Sequence, residues 1–403
     1  MDVDKIRNDF PLYSSDERDI IYMDNACQTL RPRQVIDAMQ EYYECYPACG
    51  GRSVHRLATR VSIMIDEVRE KVAAFIGCDD PSCIIFTKNS TEALNMVAKG
   101  RLLKRGDAVL TTDMEHNSNH VPWLQMEKWE GIRRRFVPTP PSGLFDMERF
   151  RKELKGDVKM VSMAHTNNVT GTTIPAEEII EEAHEKGALV LLDGAQSTPH
   201  RRIDVKRLDV DVLTFSAHKM LGPSGIGILY AKREVLERME PLIVGGGGVG
   251  LARYDQVELL PPPEKFESGL LNYSGIAGTG AAIDYLERVG MDEVEEHEGK
   301  LNRIITEGLR DLPGISILPP FDPMLRSSIF SFNLRGMTSH DIAMIIDEMA
   351  KVLIRSGMHC MHPYFLSRGI DGCARASFYL YNSEAEAIRF VQAVKDLAEA
   401  FSA

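Results

Sequence analysis

The chain has 403 residues, 44% hydrophobic and 26% charged, an ordinary globular composition with length for a sizeable core and two or three domains. Its formal net charge of −12 leaves no excess of Lys and Arg to neutralise phosphates, which argues against nucleic acid as a main partner. The charged stretch from Met1 to Phe10 lacks an apolar signal core and no apolar run is long enough to span a bilayer. A cytoplasmic protein is therefore expected. In that reducing compartment the seven cysteines, at 27, 45, 49, 78, 83, 360 and 373, read as core thiols, metal ligands or catalytic groups rather than a disulfide framework.

Residues 4–9 read as a short helix, broken at Asp9-Phe-Pro11 because proline disfavours helix in the residue before it. Residues 20–24 form a short strand. Helical periodicity follows over 32–46 and over about 58–76, which ends before Gly77. Strands and helices then alternate: strands at 83–86, 108–111, 158–163, 188–192, 212–215 and 226–230, with helices at 90–99, 121–129 and 176–186 among them. Continuous apolar strands separated by helices predict a mostly parallel sheet covered on both faces, with ligands at the carboxyl ends of the strands. The Gly- and Pro-rich stretch 241–269 reads as a long excursion, and helices resume at 273–289 and 293–312. The remainder reads as α+β, with strands near 315–318, 327–334 and 374–379 and helices near 339–351 and 384–401.

Lys219 carries the most information. It lies in Ser216-Ala-His-Lys219, a neutral run after an apolar strand and before a Gly/Pro turn. A lysine that loses water shifts its pKa down and becomes a usable amine nucleophile. Upstream, Asp193 ends another apolar strand in Asp193-Gly-Ala-Gln196. Each alone reads more simply, the lysine as a surface residue and the Asp-Gly as a turn. Together they match what pyridoxal 5′-phosphate (PLP) requires, an amine to form a Schiff base and an acid to pair with the pyridinium.

Further candidates follow other strands. Ser90 and Thr91 open a helix, where free backbone N–H groups suit a phosphate, although an ordinary N-cap reads equally well. His116 and Asn168 sit in polar loops that could contact a cofactor ring or a substrate carboxylate, against a plain turn reading. Arg375 lies on an apolar strand and needs either a bidentate carboxylate or a structural ion-pair partner. Cys360, flanked by His359 and His362, sits in a polar loop that favours a reactive thiol, and no regular four-ligand metal set closes around it. The Gly245–Gly250 run lacks the strand and helix of a dinucleotide loop and reads as a mobile loop. Cys45 and Cys49, with Cys27 upstream, form no compact ligand motif, so no metal site is assigned.

In this order the motifs Asp193-Gly-Ala-Gln196, Ser216-Ala-His-Lys219, Arg355-Ser-Gly-Met-His-Cys360 and Ala374-Arg-Ala-Ser-Phe-Tyr379 resemble the class V aminotransferase superfamily of fold-type I PLP enzymes. Within it they are most similar to the Suf-type (group II) cysteine desulfurases and their selenocysteine lyase relatives. The resemblance runs from Tyr22-Met-Asp-Asn25 to Tyr381-Asn382. It implies an α/β fold: a large domain, residues 20–289, with a mostly parallel seven-stranded sheet, and a small α+β domain from 1–19 and 290–403. It implies that Lys219 forms the Schiff base, Asp193 pairs with the ring nitrogen, His116 stacks on the ring and serves catalysis, and Gln196 meets the ring hydroxyl. Ser90, Thr91, Ser216 and His218 would hold the phosphate, and Asn168, Arg375 and His55 would serve the substrate. Cys360 would attack the substrate sulfur. Three places depart from the family pattern: Leu270 stands where a threonine usually reaches the neighbouring subunit, Met358 where histidine is common, and Cys49-Gly-Gly-Arg-Ser53, before His55, where an Asn-Val-His-Arg-like run is typical.

The expected function is conversion of L-cysteine to L-alanine with a persulfide on Cys360. The resemblance further implies a homodimer and a sulfur-acceptor protein, in iron–sulfur cluster assembly or tRNA thiolation. Two other readings stand beside it: a selenocysteine lyase or other class V lyase or aminotransferase, and a weakly catalytic sulfur-trafficking protein that uses Cys27, Cys45 and Cys49 for a metal or cluster or to bind a partner.

Overall fold

Six strands are buried along nearly their whole length: Ile84–Thr87, Ala108–Thr112, Val158–Ala164, Leu189–Asp193, Val212–Ser216 and Gly227–Ala231. Sequences apolar on both faces must be covered on both faces, and the computed structural model, which describes residues 1–51 and 53–401, shows them doing so. Arg52, in the segment before His55, and the last two residues of the expected small domain lie outside the described residues.

With a seventh strand, Arg133–Val137, they form one sheet. Across it the order is Ile84–Thr87, Gly227–Ala231, Val212–Ser216, Leu189–Asp193, Val158–Ala164, Ala108–Thr112, Arg133–Val137. Only Gly227–Ala231 runs antiparallel to its neighbours. The seventh strand escapes an apolar-pattern reading because it begins Arg-Arg-Arg and lies at the edge. There its charges pair outward, Arg134 with Glu127 at 2.9 Å and Arg135 with Asp157 at 2.9 Å, which protects the open edge.

A second core forms around a four-stranded antiparallel sheet ordered Ile315–Ile317, Ile329–Leu334, Cys373–Ser377, Arg355–Gly357, packed by helices Met291–Leu309, Ser339–Ala350 and Glu384–Ala400. Ile21 and Met23, read from sequence with the large domain, sit in this second core. Their backbone explains it: Ile21–Tyr22 pairs in parallel with Val352–Leu353, and Met23 O accepts from Ser377 N at 2.8 Å. Phe10, read with the small domain, packs in the first core against Tyr285 and Tyr381. The excursion 241–269 carries a hairpin, Val249–Ala252 with Val257–Leu259. Among the described residues no helix is long and apolar enough to cross a membrane.

Candidate active site

The loops after the parallel strands converge at their carboxyl ends, the usual ligand crevice of such sheets. Loops from the second core close over them, and the walls enclose a cavity of about 230 Å³. Ser90, Thr91, His116, Asn168, Asp193, Gln196, Ser216, His218, Lys219, Cys360 and Arg375 all line it. His55 does not: it is exposed and caps helix Arg56–Phe75, its Nδ1 accepting from Ala58 N at 3.3 Å.

The floor is built from sheet ends. Asp193, the last residue of its strand, accepts from Ala195 N at 3.0 Å and from Ser90 Oγ at 3.2 Å. Burial pushes its carboxyl up, and Lys219 pulls it back. Lys219 follows strand Val212–Ser216; its side chain is partly accessible through the cavity yet lies far beneath the outer surface. Burial pulls its ammonium below the ordinary lysine range, opposed chiefly by Asp193. Two buried groups of opposite charge, each drawn toward its neutral form, are suited to acid–base work.

Helix Ser90–Lys99 enters the site because the neighbouring strand lets it. Gly227 lies under Asn89, and a Cβ there would sit 2.4 Å from the Asn89 backbone. Ser90 N donates to Ser216 Oγ at 2.8 Å, and the Ser90 hydroxyl is engaged by Asp193 and Thr214. Ser90 and Ser216 therefore brace the helix start and Asp193, while Thr91, whose hydroxyl meets Ser118 Oγ at 2.7 Å, and His218 line the cavity where an anion would sit. Burial, followed by Lys219, brings His218 down to about 4. His116 caps helix Asn117–Glu130, with Nδ1 accepting from Ser118 N at 3.1 Å. Burial, then Lys219, Arg375 and Arg355, bring it down to about 3, so its ring is neutral.

The opposite wall belongs to the second core. Arg375, 2% exposed, donates to Asn168 O at 2.8 Å and to Asp24 Oδ1 at 3.2 Å. Asn168 Nδ2 donates in turn to the carbonyl of His359 at 2.8 Å. Cys360 is exposed at the mouth. It and His359 both have positive φ, 58° and 47°, a costly conformation for two successive side-chain-bearing residues. Asn117 N donates to Cys360 O at 2.7 Å and His359 Nε2 meets Cys373 O at 2.9 Å, which fixes this turn from both sides.

Among the described residues, three cavity-lining side chains each hold a buried atom without a partner: Gln196 Oε1, Arg375 Nε and His359 Nδ1. Buried polar atoms without partners are costly unless a ligand completes them. A group with a ring, a hydroxyl and an anion fits these residues: the free Gln196 oxygen, the Asp193 carboxyl beside Lys219, and Thr91 at a helix start. The sequence reading gave no site role to Asp24, Arg355 or His359, or to Cys27 except as a metal ligand. Cys27, Arg355 and His359 also line the cavity, and Asp24 holds Arg375. Cys45 and Cys49 lie elsewhere, and among the described residues no group of three or more His, Cys, Asp or Glu is placed to hold a metal.

The aminotransferase class-V family model matches residues 21–390. A cysteine desulfurase of Haloferax volcanii is 37% identical over 100% of this chain and 98% of its own length. A probable cysteine desulfurase of Pyrococcus abyssi is 38% identical over 98% and 97%. Among solved structures, the apo cysteine desulfurase of Thermococcus onnurineus superposes with a TM-score of 0.94 at 37% identity, covering 99% of this chain and 98% of that one. An Escherichia coli cysteine desulfurase in an S-sulfonic acid form gives 0.91 at 30% identity, covering 99% of both. With that fold, that cavity and that likeness along its whole length, the chain belongs to the class V aminotransferase family and, within it, to the cysteine desulfurases.

Proposed function

We propose that the protein converts L-cysteine to L-alanine and keeps the sulfur as a persulfide on Cys360. One observation carries the reading: a lysine deep in the site, a buried carboxyl, an arginine with an unsatisfied nitrogen and an exposed thiol line the same cavity. PLP, the cofactor, supplies an electron sink for the bonds around the substrate's α-carbon when bound. Lys219 would hold it covalently, Asp193, Gln196 and His116 would hold its ring, and Thr91, His218 and the helix start braced by Ser90 and Ser216 its phosphate.

The chain's own groups do the rest. Arg375, with its free Nε, and Asn168 bind the substrate carboxylate. Lys219, held toward the neutral amine by burial, takes the proton from the substrate α-carbon and returns one there as alanine forms. The Cys360 thiolate attacks the substrate sulfur. The new S–S bond forms as the C–S bond breaks, and its electron pair stays with carbon, which takes a proton to become the methyl group of alanine. The exposed position of Cys360 lets the sulfur leave toward an acceptor protein. A homodimer is supported by the exposed apolar side chains Val54, Tyr254, Val257 and Leu270. The setting we infer is the cytoplasm.

Holoenzyme given L-cysteine should release alanine and carry sulfur on the Cys360 peptide. Cys360→Ala should still bind L-cysteine but lose sulfur transfer by roughly 10³-fold. Equal transfer rates in the two proteins would overturn the assignment.

A further inference from the structure

The cavity holds a second thiol. Cys27 is half-buried and lines the same space as Cys360, Lys219 and Arg375. A cysteine in a fold is usually an inert apolar group. This one faces a guanidinium: Arg355 Nη1 donates to Cys27 Sγ at 2.6 Å while standing 3.6 Å from Asp24 Oδ2. Arg355 begins the strand Arg355–Gly357, which runs straight into the Cys360 turn, so Cys27 is tied to the base of the loop that carries the other thiol.

The turn presenting Cys27 is held on every side. Cys27 N donates to Asp24 O at 3.1 Å, Ala26 N to Ser377 Oγ at 2.9 Å, and Gln196 Nε2 to Ala26 O at 2.8 Å. Both thiols act on the same cations: burial opposes the charge of Arg355, yet Cys27, Asp24 and Cys360 together hold it above the ordinary value, and both sulfurs favour the charged form of Lys219. The unpartnered Arg375 Nε in the same cavity marks this as the place where an anionic ligand is expected.

We propose that Cys27 is a second sulfur-carrying nucleophile, which takes the outer sulfur from a persulfide on Cys360. The inference rests on the desulfurase reading above. The Cys27 thiolate attacks the terminal sulfur, a new S–S bond forms on Cys27, and the old S–S bond breaks with its electron pair going to Cys360 as thiolate. The exchange is balanced without an external oxidant or reductant, and it frees Cys360 for a second substrate while the first sulfur is stored deeper in the site.

Holoenzyme should be given L-cysteine labelled in sulfur, without reductant or acceptor, then alkylated and mapped by peptide mass spectrometry. The wild type should carry labelled persulfide on both the Cys27 and Cys360 peptides and release about two alanines per site in its first burst. Cys27→Ala should carry it on Cys360 alone, with the burst halved, and Cys360→Ala should leave Cys27 unlabelled. The mapping needs no variant, so a misfolded Cys27→Ala protein does not spoil it. Label confined to Cys360 in the wild type overturns the relay and leaves the desulfurase reading standing. Label on Cys27 in Cys360→Ala overturns both the relay and Cys360 as first acceptor.

Discussion

The two walls of the cavity are made differently. The floor comes from strand ends of the seven-stranded sheet, and its groups are braced: Asp193 by Ala195 and Ser90, the helix start by Ser216, His116 by its own helix. The facing wall is a short loop with two residues in left-handed backbone and an exposed thiol, set beside Arg375 on the strand Cys373–Ser377, whose Nε has no partner. Shifted pKa values demand burial, and burial demands a floor that does not move. Sulfur delivery demands access, which only the loop side supplies.

The largest effect should come from the floor. Lys219→Ala should lower turnover roughly 10⁴-fold, and borohydride should no longer fix the cofactor to the chain. Turnover within tenfold of wild type would place the chemistry on the loop side instead. Gly227→Ala should cost about 3 kcal/mol of stability, because its Cβ meets the Asn89 backbone at 2.4 Å and neither strand nor helix start can yield cheaply. Denaturant unfolding measures it. On the facing wall, Arg375→Lys keeps the charge but loses the fork that spans Asn168, Asp24 and the substrate. Its KM for L-cysteine should rise roughly 10- to 100-fold with a smaller change in kcat. A fall in kcat alone would show that Arg375 holds the loop rather than the substrate.

The same contrast separates what sequence revealed from what it hid. Asp193 ends the apolar strand Leu189–Asp193 and Lys219 lies three residues past the buried strand Val212–Ser216, so local pattern puts both at a sheet end. The edge strand Arg133–Val137 has no such pattern, because its charged residues face water and its partners rather than a core. The facing wall was harder still. Arg375 reaches Asp24 across 351 residues of chain, and Arg355 reaches Cys27 across 328. Nothing local in Asp24-Asn-Ala-Cys27 signals those meetings, and the parallel pairing of Ile21–Tyr22 with Val352–Leu353 that causes them joins strands of two residues each. His55 was named by resemblance, and its helix places it at an exposed cap outside the cavity of its own chain.

The smallest expected effect tests how dry the floor is. Glu115, next to His116, is buried beneath the site and accepts from Thr112 Oγ1 at 2.7 Å, Asn119 Nδ2 at 2.7 Å and Ala164 N at 2.8 Å. Burial, against those three bonds, pushes its carboxyl up to about 7 from an ordinary 4.5. The unfolded chain loses this proton near 4.5 and the folded chain near 7, so between those values the folded state binds more protons. Its contribution to stability must therefore fall as pH rises through that window and stay level above it. Glu115→Gln removes the titration while keeping the contacts. The amide oxygen can accept from Asn119 and Ala164, and its NH₂ can donate to the Thr112 hydroxyl, which already accepts from Met114 N. Relative to wild type, the variant should gain on the order of 2 kcal/mol between pH 5 and pH 8, less than the full linkage value because the site relaxes. Urea unfolding of both proteins at the two pH values reads this difference. A gain of zero would mean that water reaches Glu115, and that the floor is as open as the loop that faces it.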